Sequence, residues 1–252
     1  MLTDDSLRSA DGPDEAASIR RRLLKIAATV AATAPLVALT GGHAAQASPA
    51  PSASDSRPIR RAVLVPRFGA DASADWYPTA LAQLADLGIS TKVVPLLPEP
   101  TAPGIDQTVT AIARAVGDDS QEIARTILIG HSVGSLALLA YLSRHGRHRT
   151  FAGLVSAAGW FTVDDLKSYA ALAPWMHMDL NFASIAAAAG PVTVHLSDND
   201  PFTADWRANA SNWLGKLGAA VHIAHSAGHY MTTSPGPLLD TIHLASLRTI
   251  ER

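Results

Sequence analysis

From Arg61 to Ser226 the chain alternates six short, β-branched apolar runs with longer segments of helical periodicity, and this alternation constrains its fold more than any other feature. The runs are "RAVLVPRF" (61–68), "TKVVPLL" (91–97), "TILIG" (126–130), "FAGLVSAA" (151–158), "PVTVHLS" (191–197) and "AVHIAHS" (220–226). Most are continuously apolar, as strands covered on both faces require. Helical patterns fall at Trp76 to Leu87, Ile105 to Val116, Val133 to Arg144, Val163 to Leu172, Phe182 to Ala189, Ala204 to Leu217 and Pro237 to Arg248. Strand–helix–strand units cross over right-handedly, so the expected class is α/β: a three-layer sandwich with a mostly parallel sheet of six strands and helices on both faces. Ligands of such sheets sit beyond the strands' carboxyl ends, so residues that directly follow a strand carry functional weight.

One of them is Ser132. In Gly130-His131-Ser132-Val133-Gly134 the hydroxyl lies between a β-branched run and an apolar helical run, matching G-x-S-x-G in its proper context. There the serine occupies a strained strand-to-helix turn, and the glycines keep side chains out of the bend. The helix start at Val133 points amides at any developing oxyanion. The plain structural reading of Ser132 is a helix N-cap, which needs no flanking glycines.

A serine hydroxyl needs a base, and the base needs an orienting carboxylate, in the chain order Ser, Asp or Glu, His. Asp198-Asn199-Asp200-Pro201-Phe202 follows the run 191–197, and Ala227-Gly228-His229-Tyr230-Met231 follows 220–226. The expected set is Ser132, Asp200 and His229. Asp200 is preferred to Asp198 because Pro201 restricts its backbone and directs the chain's exit. A second oxyanion amide is expected from the loop after the first run, at Arg67 or Phe68; the Arg67 guanidinium either stands near the site, where it would attract an acidic acyl group, or points to solvent, the preferred reading. His222 and His225, three apart on one strand, point to opposite faces and read as partly buried residues rather than metal ligands. His145 and His148 suit a helix C-terminus.

Composition narrows the chemistry further. The 252 residues contain no cysteine, which excludes a thiolate nucleophile, disulfides and cysteine-based metal sites. A net charge of −2 gives no basic field for nucleic acid. No strand leads into G-x-G-x-x-G, no G-K-[ST] occurs, and no lysine has a serine three positions before it, which disfavours nucleotide enzymes and β-lactamases. No cofactor and no metal are expected.

The N-terminal segment reads as an address. A basic cluster from Arg20 to Lys25 precedes an apolar run from Ile26 to Thr40 and the small residues Ala45-Gln46-Ala47. The run is shorter than the ~20 residues of a spanning helix and is interrupted by Pro35, so a membrane anchor is the weaker reading. Arg20-Arg21-Arg22-Leu23-Leu24-Lys25 resembles the twin-arginine (Tat) export motif. The expected organisation is a signal peptide at 1–47, a disordered Ser/Pro/Ala-rich linker at 48–58 and one folded domain at 59–252. Export machinery, Tat or Sec, and signal peptidase are its transient partners, and its destination is the extracellular space or cell envelope.

Taken together, "AVLVPRFG", "DWYPTAL", "ILIGHSVG", "SAAGW", "SDNDPF" and "AGHYM" resemble the YdeN-like, retinoblastoma-binding-protein-type serine hydrolases of the α/β-hydrolase fold, from Ala62 to the C-terminus. The resemblance implies a compact core with little lid, a Ser, Asp, His triad with the acid directly before the proline, and hydrolysis of small esters, thioesters or activated amides. The chain departs from that pattern at Arg67 and Phe68, where small residues are usual. The stretch 159–182 falls where this fold places lid elements, and Trp160, Phe161, Trp175 and Met176, with Met178, are candidates to line an apolar acyl pocket or to be plain packing residues. The rival function is a non-catalytic binding protein on the same scaffold.

Overall fold

The computed structural model describes residues 57–96, 104–164, 172–247 and 249–250. The expected signal peptide, the linker up to residue 56 and most of the helical pattern at Val163 to Leu172 lie outside the described residues. Six parallel strands form the central sheet: β2 (Arg61–Val65), β3 (Ser90–Val93), β4 (Thr126–His131), β5 (Gly153–Ala157), β6 (Val192–Ser197) and β7 (Ala220–Ala224), in the spatial order β3-β2-β4-β5-β6-β7. A separate antiparallel pair joins β1 (Arg57–Pro58), inside the segment read as linker, to β8 (Thr249–Ile250).

The pleat sorts the apolar runs into two core layers, because successive side chains in a strand point to opposite faces. Val63, Val65 and Leu128 pack in one layer, and Ala62, Leu64, Ile127 and Ile129 in the other. The first layer is built against α2 (Ile105–Val116), α4 (Val133–His145), α6 (Phe182–Ala189) and α7 (Trp206–Leu217). The second is built against α1 (Tyr77–Asp86) and α8 (Gly236–Ser246). Short helices α3 (Ser120–Ala124) and α5 (Ala173–Met176) complete the described elements. Helix α4 is apolar all round and buried from Val133 to Leu142, since it lies on β2 and β4 and is flanked by α2 and α6. Among the described residues no helix is long and apolar enough to cross a membrane.

Register brings the strand ends level. Val65 pairs with Gly130, His131 with Ala157, Ala157 with His195 and Ser197 with Ala224. The segments after β2, β4, β6 and β7 therefore meet at one edge. The expectation of continuously covered strands holds in the sheet's middle and not at its margins: β3 and β7 are edge strands with mixed exposure. His222 and His225, read as partly buried, are exposed for that reason.

Candidate active site

Both glycines of the G-x-S-x-G stretch are explained by close approach. A Cβ on Gly130 would come within 2.6 Å of the Ser135 Cα, and one on Gly134 would strike the carbonyl oxygens of Val65 and Pro66. Only a bare backbone lets α4 start this close to the sheet edge. Ser132 sits in the bend at φ 56° and ψ −127°, a region that costs a non-glycine residue about 1–3 kcal/mol and is held by its surroundings. Its amide donates to the Ala157 carbonyl at 2.8 Å, pinning the turn to the end of β5. Ser132 does not cap the helix through its side chain. Its hydroxyl is left available for other work.

Asp200 and His229 meet at the same edge. The His229 Nδ1–H donates to Asp200 Oδ2 at 2.8 Å, and the other carboxylate oxygen accepts the Phe202 amide at 2.9 Å across Pro201. Both residues are buried, at 7% and 5% exposure, so little solvent screens the pair. The imidazole lies between aromatic neighbours: Trp160 stacks on it at 5.3 Å, and Phe202 and His131 lie at 4.5 and 5.4 Å. With Nδ1 engaged by the carboxylate, Nε2 is the basic nitrogen.

The residues "SDN" just before Asp200 have a role that sequence reading missed. Ser197 Oγ accepts the Ala227 amide at 3.0 Å, Asp198 Oδ1 the Ser226 amide at 2.9 Å and Asn199 Oδ1 the Gly228 amide at 2.7 Å. Three successive side chains thus hold three successive amides of the segment leading into His229. Asp198 also accepts from His225 Nδ1 at 2.7 Å. The Ser226 amide, with the His225 ring, holds its carboxyl below the usual carboxylate range. Asp198 therefore fastens the loop while Asp200 reaches the histidine.

A second network ties the elbow to the loop after β2. The Arg67 amide donates to Tyr77 Oη at 3.0 Å, so the single Tyr77 hydroxyl proton goes to His131 Nδ1 at 2.6 Å. The His131 Nε2 faces the His229 carbonyl at 2.8 Å; a carbonyl only accepts, so Nε2 carries the ring's proton. Full burial, reinforced by the neighbouring His229, lowers the His131 pKa to about 3 and keeps it in this neutral tautomer. Tyr77 lies 54 residues from His131, and nothing in the local sequence pairs them.

This network redistributes the expected oxyanion donors. The Arg67 N–H is spent on Tyr77, and its guanidinium, rather than pointing to solvent, forks onto Asp75 at 2.7 and 3.3 Å. Asp75 stands one residue before the buried Trp76–Tyr77 pair and draws the arginine inward along the loop. Phe68 stays a candidate. So does Val133, because the first amides of a helix have no carbonyl one turn back.

Trp160, Phe161, Trp175 and Met176 all line one cavity of about 270 Å³, together with Leu136, Met178, Leu180 and Phe182. Among the described residues no group of three or more His, Asp or Glu is placed to hold a metal ion.

Residues 62–235, well over half of the chain, match the model of the family described as serine hydrolase. The chain belongs to the serine hydrolase family. Among solved structures this hydrolase is similar to the ydeN gene product of B. subtilis, at a TM-score of 0.63 and 17% identity over 74% of this chain and 98% of that one. It is also similar to a YdeN-like hydrolase described as putative from Pectobacterium atrosepticum (TM-score 0.52, 20% identity, 75% and 91% covered) and to Est1E from Butyrivibrio proteoclasticus (0.52, 10%, 75% and 86%). At these identities the likeness shows the α/β-hydrolase fold. No curated protein sequence matches the chain.

Proposed function

We propose that the protein is an exported, carboxylesterase-like serine hydrolase that cleaves a small carboxylic ester, thioester or activated amide through an acyl-enzyme. The observation that carries this reading is the convergence at one sheet edge of a strained Ser132 and a buried Asp200–His229 hydrogen bond of 2.8 Å. His229 Nε2 takes the Ser132 proton as Oγ attacks the substrate carbonyl, and Asp200 fixes the tautomer and stabilises the imidazolium. The Val133 and Phe68 amides receive the oxyanion, aided by the N-terminal dipole of α4. The imidazolium then protonates the leaving group, which departs and leaves the acyl group on Oγ. Water, deprotonated by His229, releases the acid and restores the serine.

Export rests on the order of the N-terminal signals, with the twin-arginine cluster favouring Tat and Ala45-Gln46-Ala47 placing cleavage before Ser48. The test of the catalytic reading is labelling of the mature protein by a fluorophosphonate, with turnover of 4-nitrophenyl esters of graded acyl length. Ser132→Ala should lose the label and about 10⁶ of the rate while staying folded. A folded wild-type protein that neither labels nor turns over any ester is a binding protein on this scaffold, and the proposal fails.

A further inference from the structure

The 270 Å³ cavity is built rather than incidental. The fully buried Asn209 of α7 accepts the amides of Phe161 and Thr162 through Oδ1 and returns Nδ2–H to the Thr162 carbonyl at 3.2 Å, fastening one wall to that helix. Trp213, also of α7, donates its indole N–H to the Gly159 carbonyl at 2.8 Å. The two tryptophans that line the cavity are treated differently. Trp160 and Trp175 are each 1% exposed, and their indole nitrogens find no acceptor among the described residues. Trp76, in the other core layer, is likewise unpaired but is not part of this cavity's lining. A buried donor without a partner costs about 1–3 kcal/mol, so this wall is costly to build.

Charge points the same way. Lys216, in the last turn of α7, is the only charged residue lining the cavity among the described residues, and none of those described lining residues is a carboxylate. Its ammonium rests over the Phe182 ring at 4.6 Å and near the Phe161 ring at 6.0 Å. Both rings line the cavity, so the cation is held at its wall. The remaining lining is Leu136, Met176, Met178 and Leu180, with adaptable methionines for an aliphatic chain, and the two polar side chains Thr162 and Asn212. An apolar cavity of ~150 Å³ accommodates benzene, so this one suits roughly ten non-hydrogen atoms.

We propose that this cavity binds an aliphatic chain of about ten heavy atoms that ends in a carboxylate, the chain among the methionines and tryptophans and the carboxylate on Lys216. The site is coupled to the catalytic edge through one side chain, because Trp160 lines the cavity and also stacks on His229. Such a chain has two sources: the acyl part of a substrate that is itself a dicarboxylic half-ester, or a free fatty acid bound beside the site. Only the first of these rests on the esterase reading above.

Binding is measured on the Ser132→Ala protein, so it does not depend on turnover, by calorimetry and tryptophan fluorescence with decanoate and with neutral decanol. Decanoate should bind, and Lys216→Met, an exposed change, should weaken it by about ten-fold or more, the factor lost with a charge-assisted hydrogen bond, while decanol is unaffected. Equal loss for both ligands, no effect of Lys216→Met on decanoate, or no binding of either overturns the proposal. Turnover of the mono-4-nitrophenyl ester of suberic acid against 4-nitrophenyl octanoate separates the sources. A preference for the half-ester that disappears in Lys216→Met assigns the carboxylate to the substrate's acyl group. Decanoate binding without that preference assigns the site to a free acid.

Discussion

Replacing Tyr77 with phenylalanine removes one oxygen from a side chain that is fully buried between the loop after β2 and the serine elbow. That oxygen accepts the Arg67 amide at 3.0 Å and donates to His131 Nδ1 at 2.6 Å, so its loss strands a donor and an acceptor together. Each stranded buried group costs about 1–3 kcal/mol. Arg67 is partly exposed and recovers some of this through water, which puts the total near 3 kcal/mol. For a domain of this size each kcal/mol moves Tm by about 2–4 °C, so the melting temperature should fall by roughly 6–12 °C. Scanning calorimetry of both proteins near pH 7.5 gives the number directly. Function should follow, because His131, freed from its donor, can take the other tautomer and release the His229 carbonyl. A displaced base is expected to lower kcat on 4-nitrophenyl esters by roughly ten- to a hundred-fold, with little change in KM. A Tyr77→Phe protein with wild-type Tm and kcat refutes the network as described.

Asp200→Asn should cost on the order of 10⁴ in kcat, as loss of a triad acid does. Asp198→Asn should cost far less, because the asparagine Oδ1 still accepts the Ser226 amide, and show as a slightly lower Tm from the lost His225 hydrogen bond; reversed kcat losses in one assay would make Asp198 the orienter. Stability should fall on acidification: burial lowers the folded-state pKa of His131 to about 3 and of His195 to about 4, so the unfolded chain takes up their protons first, below about pH 6.5. The contribution is intact above pH 6.5 and declines by at most about 1.4 kcal/mol per pH unit for each histidine, or about 3–4 kcal/mol for both by pH 5. Urea unfolding at a series of pH values reads this, and a flat stability between pH 7 and 5 contradicts it. For export, intact mass of the secreted protein should begin at Ser48, and lysine at both Arg20 and Arg21 should block secretion; a mass that includes Met1 to Ala47 indicates an anchor.

Local periodicity and spacing carried the architecture. Continuous β-branched runs are what strands covered on both faces need, and all six reappear as β2 to β7 with ends shifted by a few residues. The elbow was legible because its requirements are local: two glycines where Cβ atoms would collide with Ser135, Val65 and Pro66, and a serine between strand and helix. The order of Ser132, Asp200 and His229 along the chain follows from the sheet's connectivity, so it too was readable.

Side-chain partnerships belonged to the tertiary structure alone. That β4 lies beside β2 and β5, and β7 at the margin, is set by how layers bury apolar surface, and no short window encodes it. From that order come the exposure of His222 and His225, the capture of the Arg67 amide by Tyr77 and the burial that keeps His131 neutral. The same holds for Ser197, Asp198 and Asn199, which sequence presents as an ordinary polar turn. Only when β6 and β7 lie side by side do their three acceptors meet the three amides ahead of His229, because a hydrogen bond needs its partners within about 3 Å whatever their separation along the chain.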